Sequence, residues 1–164
     1  MATEDMWVTV RPGDPFPEQQ KCIRALGVPG LDQEAVSHPD SYIALWLRPD
    51  GEAVCGTAWN EGGIVKARFT WDGKQFTGEE TNGFRILKYC EHDSDKYHWV
   101  RAKEANEHAL LYIGEYVPAV VVCGKDAAIG KANWQRKMVW TCENNCESCH
   151  QDEEFSNCFL LAKE

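Results

Sequence analysis

A weak internal repeat constrains the fold of this chain more than any other feature of its sequence. With an offset of 74 residues, residues 45–90 align with residues 119–164 without a gap. Gly56 then falls on Gly130, and small and apolar positions tend to keep their phase. A repeat of this length indicates two copies of one supersecondary unit that share a core.

Turn signals separate short apolar segments along the whole chain. The turn Pro49-Asp50-Gly51 lies between the β-prone segment Tyr42–Leu47 and a predicted return strand at Glu52–Asn60. Ala102–Leu111 has the one helix-favouring composition, which predicts a short helix there. Strands spaced by about ten residues predict an all-β fold with little helix. We expect two pseudo-repeated antiparallel β units, packed as a sandwich or a barrel.

The chain has 164 residues, a length that suits one compact domain. The charged segment Glu91–Lys96 is the predicted boundary between its halves. The first β repeat is predicted at 1–92, with an N-terminal strand and a loop insertion at Gly27–Ser41. The second repeat is predicted at 93–164 and includes a Cys-rich loop. Short edge strands also make a homodimer an expectation.

Charge and motif content exclude several classes of function. The net charge is −9 and basic residues form no cluster, which argues against a nucleic-acid partner. The sequence holds no segment apolar enough for a membrane span and no N-terminal signal sequence, so a cytoplasmic location is predicted. Residues 124–131 resemble a phosphate loop but have one residue too many between the glycines. Common catalytic motifs are absent, and we therefore predict that the chain is not an enzyme.

The densest group of metal-ligand residues lies near the C-terminus. Cys142, Cys146, Cys149 and His150 could bind zinc if all four side chains converge. Reduced thiols in a polar loop, or a disulfide in an oxidising compartment, are the alternatives. Cys146 to His150 also fits the c-type haem attachment pattern, but no Met follows it as an axial ligand. No cofactor is the main prediction, and zinc is the alternative.

Seven Trp residues are many for a chain of this size, and two of them lie beside amides at predicted hairpin ends. Trp59-Asn60-Glu61 offers an aromatic ring, an amide and a carboxylate, and Asn133-Trp134-Gln135 offers a similar set in the second copy. Sugar sites combine fixed polar groups with an aromatic face. Packing of both Trp side chains in the core is the alternative.

Several fragments resemble the DM-nine repeat family of natterin-like proteins. The fragments are Trp7-Val8 with Gly13–Pro17, the triplets Gly56-Thr57-Ala58 and Gly130-Lys131-Ala132, the segment Glu61–Lys66, and the strand Phe84–Leu87. The resemblance implies a compact all-β protein of two repeats, and characterised members of that family are mannose-binding lectins.

The same resemblance implies a sugar site in which a Lys works with an acidic side chain. Lys66 matches the Lys position, Asp32 is the nearest acidic candidate, and Lys137 is the nearest base in the second copy. We therefore predict a non-catalytic carbohydrate-recognition protein that binds mannose-type glycans. The alternative is a cytosolic structural or interaction module that binds another protein and is stabilised by zinc.

Overall fold

The computed structural model describes residues 6–17, 22, 41–88, 97–123, 126–143 and 146–163. Twelve strands make up most of this part of the chain: β1 Met6–Val10, β2 Tyr42–Leu47, β3 Ala53–Glu61, β4 Ile64–Trp71, β5 Lys74–Thr77, β6 Phe84–Lys88, β7 Tyr97–Arg101, β8 Val117–Cys123, β9 Asp126–Asn133, β10 Met138–Glu143, β11 Cys146–Gln151 and β12 Phe159–Lys163. The α-helix α1 spans Glu153–Asn157, and three 3-10 turns span Gly78–Glu80, Ala102–Glu104 and Glu107–Ala109. The described helices are too short to cross a bilayer.

The order of strands repeats between the two halves. The first half is ordered β1-β6-β2-β3-β4-β5, and the second is ordered β7-β12-β8-β9-β10-β11. Each strand of the second half therefore lies where its counterpart six strands earlier lies in the first half. The pairings within both halves are antiparallel. The predicted all-β fold of two repeated units is confirmed.

A single residue pair, Lys74 with Cys146, joins β5 to β11 and makes the strand order continuous. Away from this pair, each half closes over a core of its own. The first core contains Tyr42, Ala44, Trp46, Val54, Ala58, Val65, Phe69, Phe84 and Ile86. The second contains Val117, Ala119, Val121, Ala132, Val139, Phe155, Cys158 and Leu160.

Two further clusters contain side chains from both halves. One combines Ile43 and Leu87 with Tyr97, Trp99, Val120, Phe159 and Leu161. The other combines Cys55 with Ile113, Tyr116 and Trp140. Because strand residues alternate between faces, each sheet buries one face in its own core and part of the other against its partner. The halves thus form the predicted two-unit sandwich.

Two aligned glycines mark equivalent points of close approach. Gly56 directly precedes Thr57, where pairing of β3 with β4 begins, and Gly130 directly precedes Lys131, where pairing of β9 with β10 begins. A Cβ atom at Gly56 would overlap the carbonyl of Arg68. One at Gly130 would likewise overlap the carbonyl of a facing residue on β10. The repeat conserves the absence of a side chain where strands come together.

The structure corrects two local expectations. The helix predicted at 102–111 is wrong: two 3-10 turns stand there, separated by extended backbone at Ala105. Asn106 accepts the N–H of His108 and favours the turn over a continuous helix. The Cys-rich segment is a hairpin of β10 and β11 rather than a loop. The predicted boundary at 91–96 and most of the loop insertion at 27–41 lie outside the described residues.

Candidate functional site

The first cleft lies beside β4 in the first half and has a volume of about 190 Å³. Pro12 and Gly13 form one wall and the turn at Thr77–Glu79 forms the other. The segment after β1 is fixed there because the N–H of Val65 donates to the carbonyl of Asp14 at 3.0 Å. The floor between these walls carries Trp59, Glu61 and Lys66.

Three of the predicted ligand-binding residues meet in the first cleft. Trp59 lies directly opposite Lys66 in the β3–β4 pairing, and Glu61 lines the same cleft. The ammonium of Lys66 lies 3.4 Å from a carboxylate oxygen of Glu79. The guanidinium of Arg68 lies 5.5 Å from the centre of the Trp59 ring. The acidic partner of Lys66 is thus Glu79, which sequence reasoning did not find, and Asp32 lies outside the described residues.

Asn60 has a structural role at this site. Its side-chain oxygen accepts the N–H of Gly63 at 2.7 Å, within the two-residue turn between β3 and β4. Gly62 and Gly63 adopt φ values of 60° and 93° there, as a tight β-hairpin turn requires. Asn60 therefore fixes the hairpin end that carries Trp59 and Glu61.

The second cleft has a volume of about 460 Å³ and lies at the equivalent hairpin of the second half. One wall carries Glu107, Tyr112 and Glu115, and the other is the β9–β10 connection from Asn133 to Arg136. Tyr112 is 44% exposed, and burial together with the charge of Glu107 raises its pKa. The lining of the second cleft thus combines two carboxylates, two aromatic rings, two amides and one guanidinium.

Trp134 is fixed on both its edge and its face. Its indole N–H donates to a carboxylate oxygen of Glu107 at 3.1 Å. The ammonium of Lys137 lies 3.3 Å from the centre of the indole ring, a cation–π contact. The side-chain oxygen of Asn133 accepts the N–H of Arg136 at 3.0 Å, as Asn60 does in the first half. The predicted residues Trp134 and Lys137 are therefore in contact, and Trp134 lines this cleft.

A hydroxyl and an imidazole of the β10–β11 hairpin are in contact with each other, and the imidazole also contacts a carboxylate of α1. Nε2 of His150 is 3.1 Å from the hydroxyl of Thr141, and Nδ1 is 2.6 Å from a carboxylate oxygen of Glu154. This order resembles that of a hydrolase triad. Thr141 is 0% exposed, however, so a substrate has no access to its hydroxyl. The arrangement ties α1 to the hairpin.

Two of the four predicted zinc ligands lie on opposite faces of one strand. Cys149 and His150 are neighbours on β11, so their side chains point to opposite faces. The side chains of Cys142 and Cys146 lie outside those that the structure describes. Within the described part of the chain, no three His, Cys, Asp or Glu side chains are grouped closely enough to hold a metal. A four-ligand zinc site remains a prediction without support from this geometry.

Both clefts have the chemistry of recognition. Each places a Trp next to charged side chains, and no Cys, Ser or His is among the described residues that line them. Buried thiols elsewhere are unreactive: burial raises the pKa of Cys55 and of Cys158 to about 12. Neither cleft therefore presents an activated nucleophile with a neighbouring base.

Comparison with known proteins gives a family and a fold. The model of a family described as "MFP2b: Cytosolic motility protein" matches residues 4–164. A crystal structure of the nematode sperm cell motility protein MFP2B superimposes with a TM-score of 0.75 at 23% sequence identity. The match covers 99% of this chain and 45% of that protein, so the chain spans less than half of its length. None of the curated proteins matches the sequence.

These findings correct the family expectation. The resemblance to DM-nine and natterin-like proteins is wrong, because the family that matches nearly the whole chain is a different one. The lectin interpretation and its mannose-type ligand depended on that resemblance and are withdrawn with it. The description of the matching family confirms the predicted cytoplasmic location and agrees with the prediction of a protein that is not an enzyme.

Proposed function

Because the chain belongs to the MFP2b family of cytosolic motility proteins, we propose that it is a protein-binding module of a cytosolic motility apparatus. It contributes recognition and no chemistry. This proposal develops the interaction module that the sequence offered as the alternative to a lectin, without zinc.

The observation that carries the proposal is the pair of clefts at equivalent hairpins. Each has a rigid aromatic side chain held by charged neighbours: Trp59 beside Arg68 and Lys66, and Trp134 beside Glu107 and Lys137. Aromatic and Arg side chains dominate the energetics of protein interfaces. A preformed arrangement of this kind loses little conformational freedom on binding.

The second cleft is the stronger contact surface of the two. Tyr112 is one of two large apolar side chains exposed among the described residues; the other is Leu47. Glu107, Glu115, Gln135 and Arg136 line the same cleft. A partner segment with an apolar residue between polar ones would contact all of these groups.

The test is replacement of the native protein in motile cells by variants of each cleft. Tyr112→Ala with Arg136→Glu alters the second cleft, and Trp59→Ala with Lys66→Glu alters the first. Leu47→Ser is the matched control, because Leu47 is 56% exposed and lines neither cleft. Protein abundance and thermal stability are measured alongside the speed of cell movement.

We expect the second-cleft variant to slow movement at unchanged abundance, and the control to move at the native speed. Native speed in both cleft variants would contradict a binding role for the clefts. Native speed in cells that lack the protein altogether would contradict the motility function itself.

A further inference from the structure

A buried ion pair connects the two halves at the point where their sheets meet. Lys131 of β9 is 2% exposed and is the one charged residue among the described residues that are buried. Its ammonium lies 3.1 Å from a carboxylate oxygen of Glu147 on β11. It also donates to the carbonyl of Thr70 on β4, in the other half.

Aromatic rings from both halves enclose the ammonium. Its nitrogen lies 4.7 Å from the ring centre of Trp71, 4.9 Å from that of Tyr116 and 5.8 Å from that of Trp140. Trp71 belongs to the first half and the other two rings to the second. Ring faces attract a cation and exclude water, so the ion pair is held in a nonpolar site.

Glu147 also binds the turn between β4 and β5, through its backbone N–H and through the second oxygen of its carboxylate. That oxygen accepts the N–H of Gly73 at 3.1 Å. The N–H of Glu147 donates to the carbonyl of Gly73 at 3.3 Å. The single pair that joins the two sheets, Lys74 with Cys146, lies immediately beside these bonds. Lys131, Glu147 and the turn at 70–74 are called the clasp below.

The cost of burial makes the clasp a point of low stability. Removal of water lowers the pKa of Lys131, although the carboxylate of Glu147 acts in the opposite direction. Buried ion pairs often contribute little net stability, because desolvation offsets their attraction. Each half has a core of its own, and Trp71 is the clasp residue that packs against the first of them. Opening of the clasp would therefore rehydrate two charges and uncover the first core only where Trp71 borders it.

We propose that the clasp is a releasable lock: it opens as a unit, while the core of each half and the shared cluster around Ile43 and Leu87 stay packed. The clasp also determines how firmly the segments that line the second cleft are held. Lys131 lies two residues before Asn133 on one cleft wall, and Tyr116 follows Glu115 on the other. Release of the clasp loosens both walls, independently of which partner the cleft binds.

Native-state hydrogen exchange of the unaltered protein is the first test. The amide at position 147, which donates to Gly73, reports the junction, and the amides of Ala44 and Ala119 report the two halves. We expect position 147 to exchange faster by at least tenfold, with a weaker dependence on urea. Identical exchange rates and urea dependence at all three positions would show that only global unfolding occurs and would overturn the proposal.

Variants then test the ion pair itself. Lys131→Met and Glu147→Gln each leave one buried partner uncompensated, and we expect exchange at position 147 to rise at least tenfold while Ala44 and Ala119 stay unchanged. The double variant Lys131→Met/Glu147→Leu should return to within about threefold of the native rate. Lys66→Met is the control, because its ion pair with Glu79 is exposed.

Fluorine NMR of protein containing 5-fluorotryptophan gives a second readout. In Glu147→Gln we expect the resonances of Trp71, Trp140 and Trp134 to shift, and that of Trp46 in the first core to stay in place. A shift of Trp46 together with the others, or unchanged exchange at position 147 in both single variants, contradicts a lock at this junction.

Discussion

At the scale of single residues, Gly130 is the described glycine at which an added side chain would come closest to another atom. A Cβ atom there would overlap the carbonyl of Trp140, whose backbone belongs to the adjacent strand. We expect Gly130→Ala to lower the free energy of unfolding by about 3 kcal/mol or more, as overpacking against backbone does. Urea denaturation measures this change.

Gly62→Ala is the matched control for that substitution. Gly62 has a positive φ of 60° but open space around its Cα, so only backbone strain acts there. Strain of this kind amounts to about 1–2 kcal/mol. An equal loss of stability in the two variants would contradict the close approach of β9 and β10.

Cys55 makes the stability of the folded chain depend on alkaline pH. Burial raises the pKa of its thiol from 9.0 to about 12, so the folded state favours the neutral form. Unfolded chains ionise this thiol first, and stability is lost as pH rises from 9 towards 12. The loss is about 1.4 kcal/mol per pH unit.

Urea denaturation of the native chain and of Cys55→Ala at pH 8.5 and 10.5 measures this effect. The native chain should lose about 2 kcal/mol more than the variant over that interval. Cys149→Ala serves as the control, because it also removes one thiol but from an exposed position. Parallel profiles for all three proteins would contradict the burial of the Cys55 thiol.

Single residues of the candidate site could be predicted from the sequence more readily than the residues with which they interact. Trp59, Glu61 and Lys66 could be predicted together because they lie close along one hairpin. Glu79 could not, because it reaches Lys66 from a turn that only the folded sheet brings near. The pairing of Lys131 with Glu147 could not be predicted for the same reason. Burial of Lys131 would point to a paired charge, and that burial comes from the packing of strands that are distant in sequence.

At the scale of elements, two asparagines fix the hairpins that carry the clefts. Asn60 accepts the N–H of Gly63, and Asn133 accepts the N–H of Arg136. We expect Asn60→Ala and Asn133→Ala each to lower the free energy of unfolding by about 1 kcal/mol, the contribution of one such bond. Thermal unfolding checks this, with the exposed Gln135→Ala as a control that should change stability by less than about 0.5 kcal/mol.

An apolar strand could be predicted from its own residues, and a polar strand could not. Tyr42–Leu47 has the predicted bounds, because β-branched and aromatic residues and a flanking turn mark it. Cys146–Gln151 is polar throughout and was expected to be a loop. It is a strand because it pairs with β10 along its whole length. Tertiary context there outweighs local propensity.

At the scale of the whole molecule, each half depends on the other for cooperative folding. Ile43 and Leu87 of the first half pack with Trp99 and Val120 of the second. We expect residues 1–92 and residues 93–164, expressed separately, to lack a cooperative thermal transition, because each exposes this shared apolar surface. Mixing them should restore the transition, as circular dichroism and gel filtration would show.

The full chain is the control, and it should unfold near the midpoint of the mixed halves. A cooperative transition in either isolated half would contradict this dependence and would identify that half as an independent domain. The repeat itself could be predicted from the sequence, because small and apolar positions keep their phase. The packing of the two copies could not, because it depends on contacts between residues far apart in the chain.

The continuous strand order leaves few open backbone edges. Among the described strands, only β1 and β7 end the order, and each has five residues. β5 and β11 share a single residue pair at the centre, so most of each of these short strands is also unpaired on that side. Unpaired edges are the templates for fibrous aggregation, and short ones recruit further chains poorly. Because all of these edges are short, edge-to-edge stacking of many copies of the folded chain into fibrils is unfavourable.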